Sequence, residues 1–518
     1  MLVLSERRSL ESETTFGLTT MGKGGDNSSG PTAAKVLNDG AETSGAVAGQ
    51  ERAPLLVTRE EMKKHRSPTD AWASIGRKVY DISNWNEHPG GSVIFTHAGD
   101  DMTDAFNLFH PASARSWLKR FEIGELADEP AAELSVEEQA SKEEQRAFEV
   151  AYRQLRAKMI AAGLFKVNYW YYAYKFLSQF VIVGAAAWCA ASPTWAGFLW
   201  GATLLGLFWQ QSGWLCHDVC HNQLCNMVGG RGLGLANRAC GLAWGNLAQG
   251  FSVKWWKDKH NRHHAVPNVH GHGDALNADP DIDTMPLLAW SMKMAELVKD
   301  DKNGRFMVSI QKYSYLPLLC FARIAWLQQG IQYAFGVNLD VIFSNATVSE
   351  DLKKVQKKSL EGFERLCECA LLVCHHLWVF ALCSQRPTAA GAWAFWFLAQ
   401  AICGQILFAV TSLGHNGLPV YEASDRPDYW KLQVTTTRNI SGGWFMHWLC
   451  GGLEYQVDHH LFPMMPRHSL PKAHELIVSF CKEHDIKYNE DNLWRGTADI
   501  IQHLDKVATE FLTEFPAI

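Results

Sequence analysis

The sequence predicts a mixed fold: a small α+β domain joined to an all-α integral membrane domain with four transmembrane helices and a cytosolic helical cap. Three observations predict it. Residues from about 51 to 126 have a globular composition with short mixed elements, and the acidic stretch "ADEPAAELSVEEQASKEEQ" follows them and leads into a helix. Four apolar segments, 171–191, 194–216, 366–384 and 391–413, approach the ~20 residues that a span requires. The chain holds 21 Trp and 21 His, with aromatics crowding the ends of apolar runs as in a membrane-interface belt. A mean hydropathy of −0.14 is low for spans alone and implies large water-facing parts.

Residues 1–52 are rich in Ser, Thr, Gly and Ala without apolar periodicity and read as disordered. They hold no signal-peptide core, and Glu6, Glu11 and Glu13 speak against the transit peptide that Arg7 and Arg8 would allow; Met21 is an alternative start. The expected units are then 53–127 for the small domain, 128–165 for the acidic linker and connecting helix, and 166–518 for the membrane domain. The four spans form two hairpins. A fifth candidate, "YLPLLCFARIAWLQQGIQYAFGV" at 315–337, carries Arg323 and the Gln328–Gln329 pair in its middle. Charge at membrane depth is costly, and an even number of crossings is needed if the histidine clusters share one site, so this segment is read as interfacial or re-entrant. Lys254, Lys257, Lys259 and Arg262 lie between the hairpins, which places those loops in the cytosol. The net charge of −6 and the lack of a polybasic block give no reason to expect nucleic acid. Thirteen cysteines without a paired CxxC set, several inside apolar runs, do not predict a disulfide scaffold.

Three clusters carry the chemistry. "WLCHDVCHNQ" places His217 and His221 four apart on one helix face at the end of the second span. "KHNRHHAVPN" gives His260, His263 and His264, and "QVDHHLFP" repeats that spacing with Gln456, His459 and His460; "SLGHNG" adds His415 at the end of the fourth span. A single zinc is usually satisfied by four ligands, so eight histidines with Gln456 beside them are read as two metals sharing one set. Imidazole alone does not choose the metal. A lone His on an apolar segment is more often a packed core residue, and His375 and His376 in the third span are read that way; His270, His272, His447, His468 and His484 stay unassigned. Asp218, Asp458 and the Asp279, Asp281, Asp283 group stand where carboxylates could orient the ligands.

In the small domain, "WNEHPGGSVIFTHAGDDMTDAFNLFHPASARSW" holds His88 in a Pro-Gly-Gly turn and His110 after Phe106 and Phe109. Two histidines across an apolar pocket can hold a haem iron from both axial positions, which leaves electron transfer as its role. Gly90 and Gly91 let the backbone pass close to a flat ligand. His97 is read as a loop residue.

With "KVYDISNW" upstream and "GDDMTDAF" downstream, residues 53–126 resemble cytochrome b5. An electron carrier fused to a polyhistidine site implies a redox-active metal, which removes zinc and makes iron the first choice. The order HDxxH, HxxHH, QxxHH behind an HPGG domain resembles the front-end fatty acyl desaturases of algae and oomycetes, from residue 53 to the C terminus. "GLFWQQSGWLCHDVCHNQ", "DPDIDTMPLLAW", "GHNGLPVY" and "LQVTTTRNISGGW" share in the likeness. The resemblance implies haem b on His88 and His110, and two non-haem irons on His217, His221, His260, His263, His264, His415, Gln456, His459 and His460. It also implies O2 as co-substrate and electrons from NADH through cytochrome b5 reductase. The substrate would be a polyunsaturated acyl chain on CoA or phospholipid, in the endoplasmic reticulum membrane rather than a plastid membrane. Gln456, where other acyl desaturases carry His, is the front-end pattern; its amide is a weaker donor than imidazole.

Overall likeness favours a new double bond at Δ6, with Δ5 and Δ8 close and Δ4 behind. The rivals are a hydroxylase, a sphingoid-base desaturase, and a membrane-anchored electron carrier, which would leave eight clustered donors without use. The N-x-[ST] matches at Asn27, Asn345 and Asn439 fall on the cytosolic side in this topology and are expected to carry no glycan.

Overall fold

The computed structural model describes residues 55–516 apart from 87, 111–113, 128–134, 225–230, 272–275 and 338–361. The expectations for residues 1–52, Met21, Asn27, His272 and Asn345 lie outside the described residues.

The small domain is built on a five-stranded sheet of β1 (Leu55–Val57), β2 (Arg66–Ser67), β3 (Asp70–Ile75), β4 (Lys78–Asp81) and β5 (Glu122–Leu126), in the order β1-β5-β4-β3-β2. Only the β1–β5 pair is parallel. Ala71, Ala73, Ile75, Tyr80 and Ile82 bury one face against Phe95, Phe106 and Leu118. Phe106 belongs to helix α1 (Thr103–Phe109), which follows a 3-10 turn at Gly91–Phe95.

Helix α2 (Val136–Ala161) leads to α3 (Tyr169–Ala191) and α4 (Trp195–Cys220). Asn168 and Thr194 start the latter two by accepting the Tyr171 and Gly197 N–H groups. A π-helical segment, Leu242–Gln249, ends at Gly250 (φ +85) and turns the chain into α5 (Val253–Ala265), capped by Ser252. Next come α6 (Lys302–Phe335), α7 (Gly362–Cys383), α8 (Ala389–His415), and the cap helices α9 (Gln456–Leu461), α10 (Leu470–Glu483) and α11 (Leu493–Glu514).

Among the described residues three helices, α3, α7 and α8, are long and apolar enough to cross a membrane. The fourth expected span, α4, is 26 residues long, but Gln210, Gln211, Ser212, His217 and Asp218 make its second half too polar to meet the same standard. It has no need to be apolar there, because α3 and α8 flank it and all five side chains are buried. Gly206 lets α4 meet the backbone of Ala399 and Cys403, a close approach typical of helices packed in lipid. Outward-facing Trp170, Phe180, Trp188, Phe363, Phe380 and Trp393 cover the apolar helices, a patch that marks contact with lipid rather than water.

The 34-residue α6 contains Pro317 and buries Arg323. Gln311 near its start donates to the Leu504 carbonyl of α11 (2.8 Å), and Gly330 near its end meets the backbone of Phe251 and Ser252. Both ends therefore lie beside elements that carry or flank the histidines. All twelve described cysteines are free. Asn439 is 2% exposed, donates to Asp458 (2.9 Å) and accepts from the Val457 N–H (2.8 Å), so no sugar has access to it.

Candidate metal centre

All eight predicted histidines converge. His217 and His221 come from the end of α4, His260, His263 and His264 from α5, His415 from the end of α8, and His459 and His460 from α9. They fall into two groups with ligand atoms within 4.8 Å of one another: His217, His221, His260, His264 and His459 in one, His263, His415 and His460 in the other. Within the first group Nε2 of His459 lies 3.1 Å from Nε2 of both His217 and His264. In the second, Nε2 of His263 and His415 are 3.2 Å apart. The Gln456 side-chain NH2 lies 2.8 Å from His415 Nε2, so this residue borders the smaller group. Nitrogens crowded in this way point their lone pairs at a common centre, which suits one ion per group.

Burial, reinforced by neighbouring imidazoles, holds His221, His260, His264, His459 and His460 well below the ordinary value. They are therefore neutral, the form that ligates. Burial also lowers His263, but the Asp279 and then Asp281 carboxylates outweigh it and raise the group. His263 Nδ1 lies 2.9 Å from Asp279 Oδ2, His415 Nδ1 is 3.1 Å from the Thr436 carbonyl, and His460 Nδ1 is 2.8 Å from Gln433 Oε1. Such contacts leave Nε2 for the ion and fix each ring.

The carboxylates divide. Asp279 orients a ligand as expected. Asp218 lies 3.5 Å from His217 Nδ1, but its main partner is buried Arg467. Asp458 does not touch a ligating ring: its Oδ2 accepts from Asn439, Tyr488 and His474. Thr436, Gln433, Arg467 and His474 were not singled out from the sequence; Thr436 and Gln433 lie within the quoted "LQVTTTRN", but nothing local marks them as ligand partners. His375 stays apart, with Nδ1 3.0 Å from the Leu247 carbonyl and its ring against Gly250. His376 packs on its neighbour's ring, while His270, His447 and His468 pair with Glu422, Glu454 and the Asn168 N–H, and His484 packs on Phe148 and Phe480.

A second cavity, about 560 Å³, lies in the small domain between His88 and His110 and is walled by Tyr80, Trp85, Val93, Phe106 and Phe109. The two ring centroids are 5.8 Å apart, a gap that two metal–nitrogen bonds of ~2 Å plus the ring radii span. His110 Nδ1 is tied to the Phe106 carbonyl (3.1 Å). Burial, then the nearby His110, pushes His88 down to about 3, and burial lowers His110 too, so both rings are neutral. The donors, shape and apolar lining fit a haem. His97, read from sequence as a loop residue, is buried, lines this cavity and accepts from Arg426 (3.2 Å).

The haem cavity shares a wall with the histidine site. Cys220, His221, Lys257 and Asn261 line it from the other domain, and the Phe109 ring lies edge-on to His264 at 6.2 Å. Asp258 accepts the Ser92 N–H (2.6 Å), Asn261 donates to the Gly90 carbonyl (2.9 Å), and Arg426 donates to Asp100 (2.8 Å). Gly91 (φ +82) is required here, since a Cβ would strike Asp258 Oδ1.

A third feature is an apolar cavity of about 250 Å³ that reaches His217, His260, His263, His415 and Gln456 and runs between α4, α6 and α8. A chain of methylenes fits its Leu, Trp and Phe walls.

Haem carrier, paired metal groups and lipid-facing helices define a membrane oxidoreductase that works on an apolar chain. The fatty acid desaturase family model matches residues 193–492, and the cytochrome b5-like heme/steroid binding domain model matches 58–127. An acyl-lipid (9-3)-desaturase of Physcomitrium patens is 35% identical over 86% of this chain and 77% of its own length. A Delta(6)-fatty-acid desaturase of Caenorhabditis elegans is 32% identical over 82% and 92%. A Delta(8)-fatty-acid desaturase of Arabidopsis thaliana is 29% identical over 88% and 93%. The chain belongs to the fatty acid desaturase family, with a cytochrome b5-like domain fused at its front.

Proposed function

We propose that this front-end desaturase places a cis double bond at Δ6 of a polyunsaturated acyl chain carried on CoA or phospholipid. The observation that carries this reading is the apolar cavity ending on both histidine groups. His217, His221, His260, His264 and His459 hold one iron, and His263, His415, His460 and Gln456 the other. His88 and His110 hold haem b. Bound irons with O2 supply the removal of two hydrogens from adjacent carbons; the two C–H bonds and two electrons from NADH, delivered through cytochrome b5 reductase and the haem, reduce O2 to water. The chain's own residues do the rest. Asp279, Thr436 and Gln433 fix the ligand rings, the Leu, Trp and Phe walls exclude water, and Asp258, Asn261 and Arg426 hold the haem domain against His221.

In this reading residues 53–127, 128–165 and 166–518 are haem domain, linker and membrane domain, α4 completes a four-span topology, and the sites face the cytosol of the endoplasmic reticulum. The support for Δ6 is that the Delta(6) relative, at 32%, stands above a Delta(8) relative at 31% and a Delta(5) relative at 28%. The test is expression in a yeast lacking polyunsaturates, fed C18, C20 and C22 polyunsaturated acids, with new bonds located by mass spectrometry. A Δ6 bond in C18 products is expected. A bond at Δ5, Δ8 or Δ4 corrects the position, and an added oxygen or a modified sphingoid base overturns the reaction.

A further inference from the structure

Among the described residues, one buried side-chain donor on the apolar cavity lacks a hydrogen-bond partner. Gln249, 1% exposed, ends the π-helical segment and lines the cavity, yet its Nε2 has no hydrogen-bond partner. Its orientation is forced from behind. Buried Arg323 donates to the Gln249 backbone carbonyl (2.6 Å) and to its Oε1 (3.2 Å), and also to Gln400, while its guanidinium lies 3.9 Å over the Trp209 ring. The carbonyl end of the amide must face the guanidinium, so the NH2 end points away from it, toward Gly213 on the cavity wall, and a cation on the carbonyl strengthens that donor. Among the described residues no carboxylate pairs with Arg323, so its hydrogen bonds go to amide oxygens.

A Cβ at Gly213 would sit 3.0 Å from Nε2, with Leu407 as the next neighbour, and both residues line the same cavity. Gly213 lies one helical turn, ~6 Å, before His217, and Leu407 about two turns, ~12 Å, before His415. The amide thus stands several acyl carbons from the metal groups. Lys259, Asp281 and Asp283 line the same cavity, with Asp281 beside His263. A saturated chain lying there would leave the N–H unpaired, whereas a cis C=C offers it π electrons.

We propose that Gln249, held by Arg323, is the residue that reads a pre-existing cis double bond and so selects unsaturated chains. This rests on the desaturase reading above. Membranes expressing the wild type, Gln249→Leu and Gly213→Ala are given C18 acyl chains with no, one or two cis double bonds in competition, and product ratios are measured. Gln249→Leu keeps making product but loses about fivefold of the preference for unsaturated over saturated chains, a contact of this class being worth about 1 kcal/mol. Gly213→Ala, which pushes on the amide while keeping it, shifts the ratio the same way. An unchanged ratio in both variants overturns the proposal, as does loss of all product in both while the wild type is active, which would make the amide structural. No product from the wild type on any chain would instead refute the desaturase reading.

Discussion

Asp258→Ala tests how the two redox sites are held together. Asp258 is 3% exposed and accepts the Ser92 N–H at 2.6 Å from the turn next to His88. A hydrogen bond to a buried charged group is worth ~1.5–3 kcal/mol, so its loss shifts the docking equilibrium toward the undocked form by roughly 10- to 100-fold. Arg426→Ala should matter far less. Its partner Asp100 is 56% exposed on its side chain, and such pairs contribute ~0–1 kcal/mol, about fivefold at most. Cys220 provides a native reporter, because it is buried, lines the haem cavity from the other domain and becomes reachable only when the domains part. Thiol labelling of haem-loaded protein, read by mass spectrometry of the Cys220 peptide, should quicken by 10- to 100-fold in Asp258→Ala and by a few fold in Arg426→Ala. The haem spectrum should stay the same. Equal Cys220 labelling in Asp258→Ala and wild type would refute the claim that this carboxylate holds the domain.

Other outcomes follow from the same geometry. His260→Ala or Gln456→Ala should abolish desaturation and lower bound iron while the haem spectrum is kept; full activity of either variant would remove that residue from the ligand set. Asp104, which faces α2, is pushed up to about 6 by burial and then by the Glu149 carboxylate. Its folded form therefore holds the proton more tightly than the unfolded chain, and the stabilisation present below the ordinary value of 3.8 is lost as pH rises through about 6. Asp104→Asn should accordingly raise the unfolding temperature at pH 7.5, a gain of up to about 3 kcal/mol of stability, and leave it unchanged at pH 3.5; a drop at pH 7.5 would contradict the assignment.

The eight histidines were legible because their signal is local. Spacings of three and four on one helix face bring imidazoles together whatever the rest of the chain does. His88 and His110 were legible through the motif around them. The partners that hold the rings were not, since Arg467 reaches Asp218 across 249 residues and Gln433 reaches His460 from another helix. Asp258 reads as one more charge in "WWKDKHNRHH", and only the fold shows that it faces Ser92, 166 positions away. The composition of α4 departs from that of a lone span for a related reason: it is shielded by α3 and α8, so its second half carries polar groups that an isolated lipid-facing helix would not tolerate. His97 lies in a turn as expected, but a short polar-looking loop gives no sign that Arg426 of another domain covers it.

The central claim is that the histidines form a two-iron site beside one haem. The most direct measurement is the metal content of the purified, haem-loaded chain, with non-haem iron counted against haem. The account predicts two non-haem irons per haem, reduced by His260→Ala and by His415→Ala but not by Asp258→Ala; haem without non-haem iron, or zinc in its place, would contradict it.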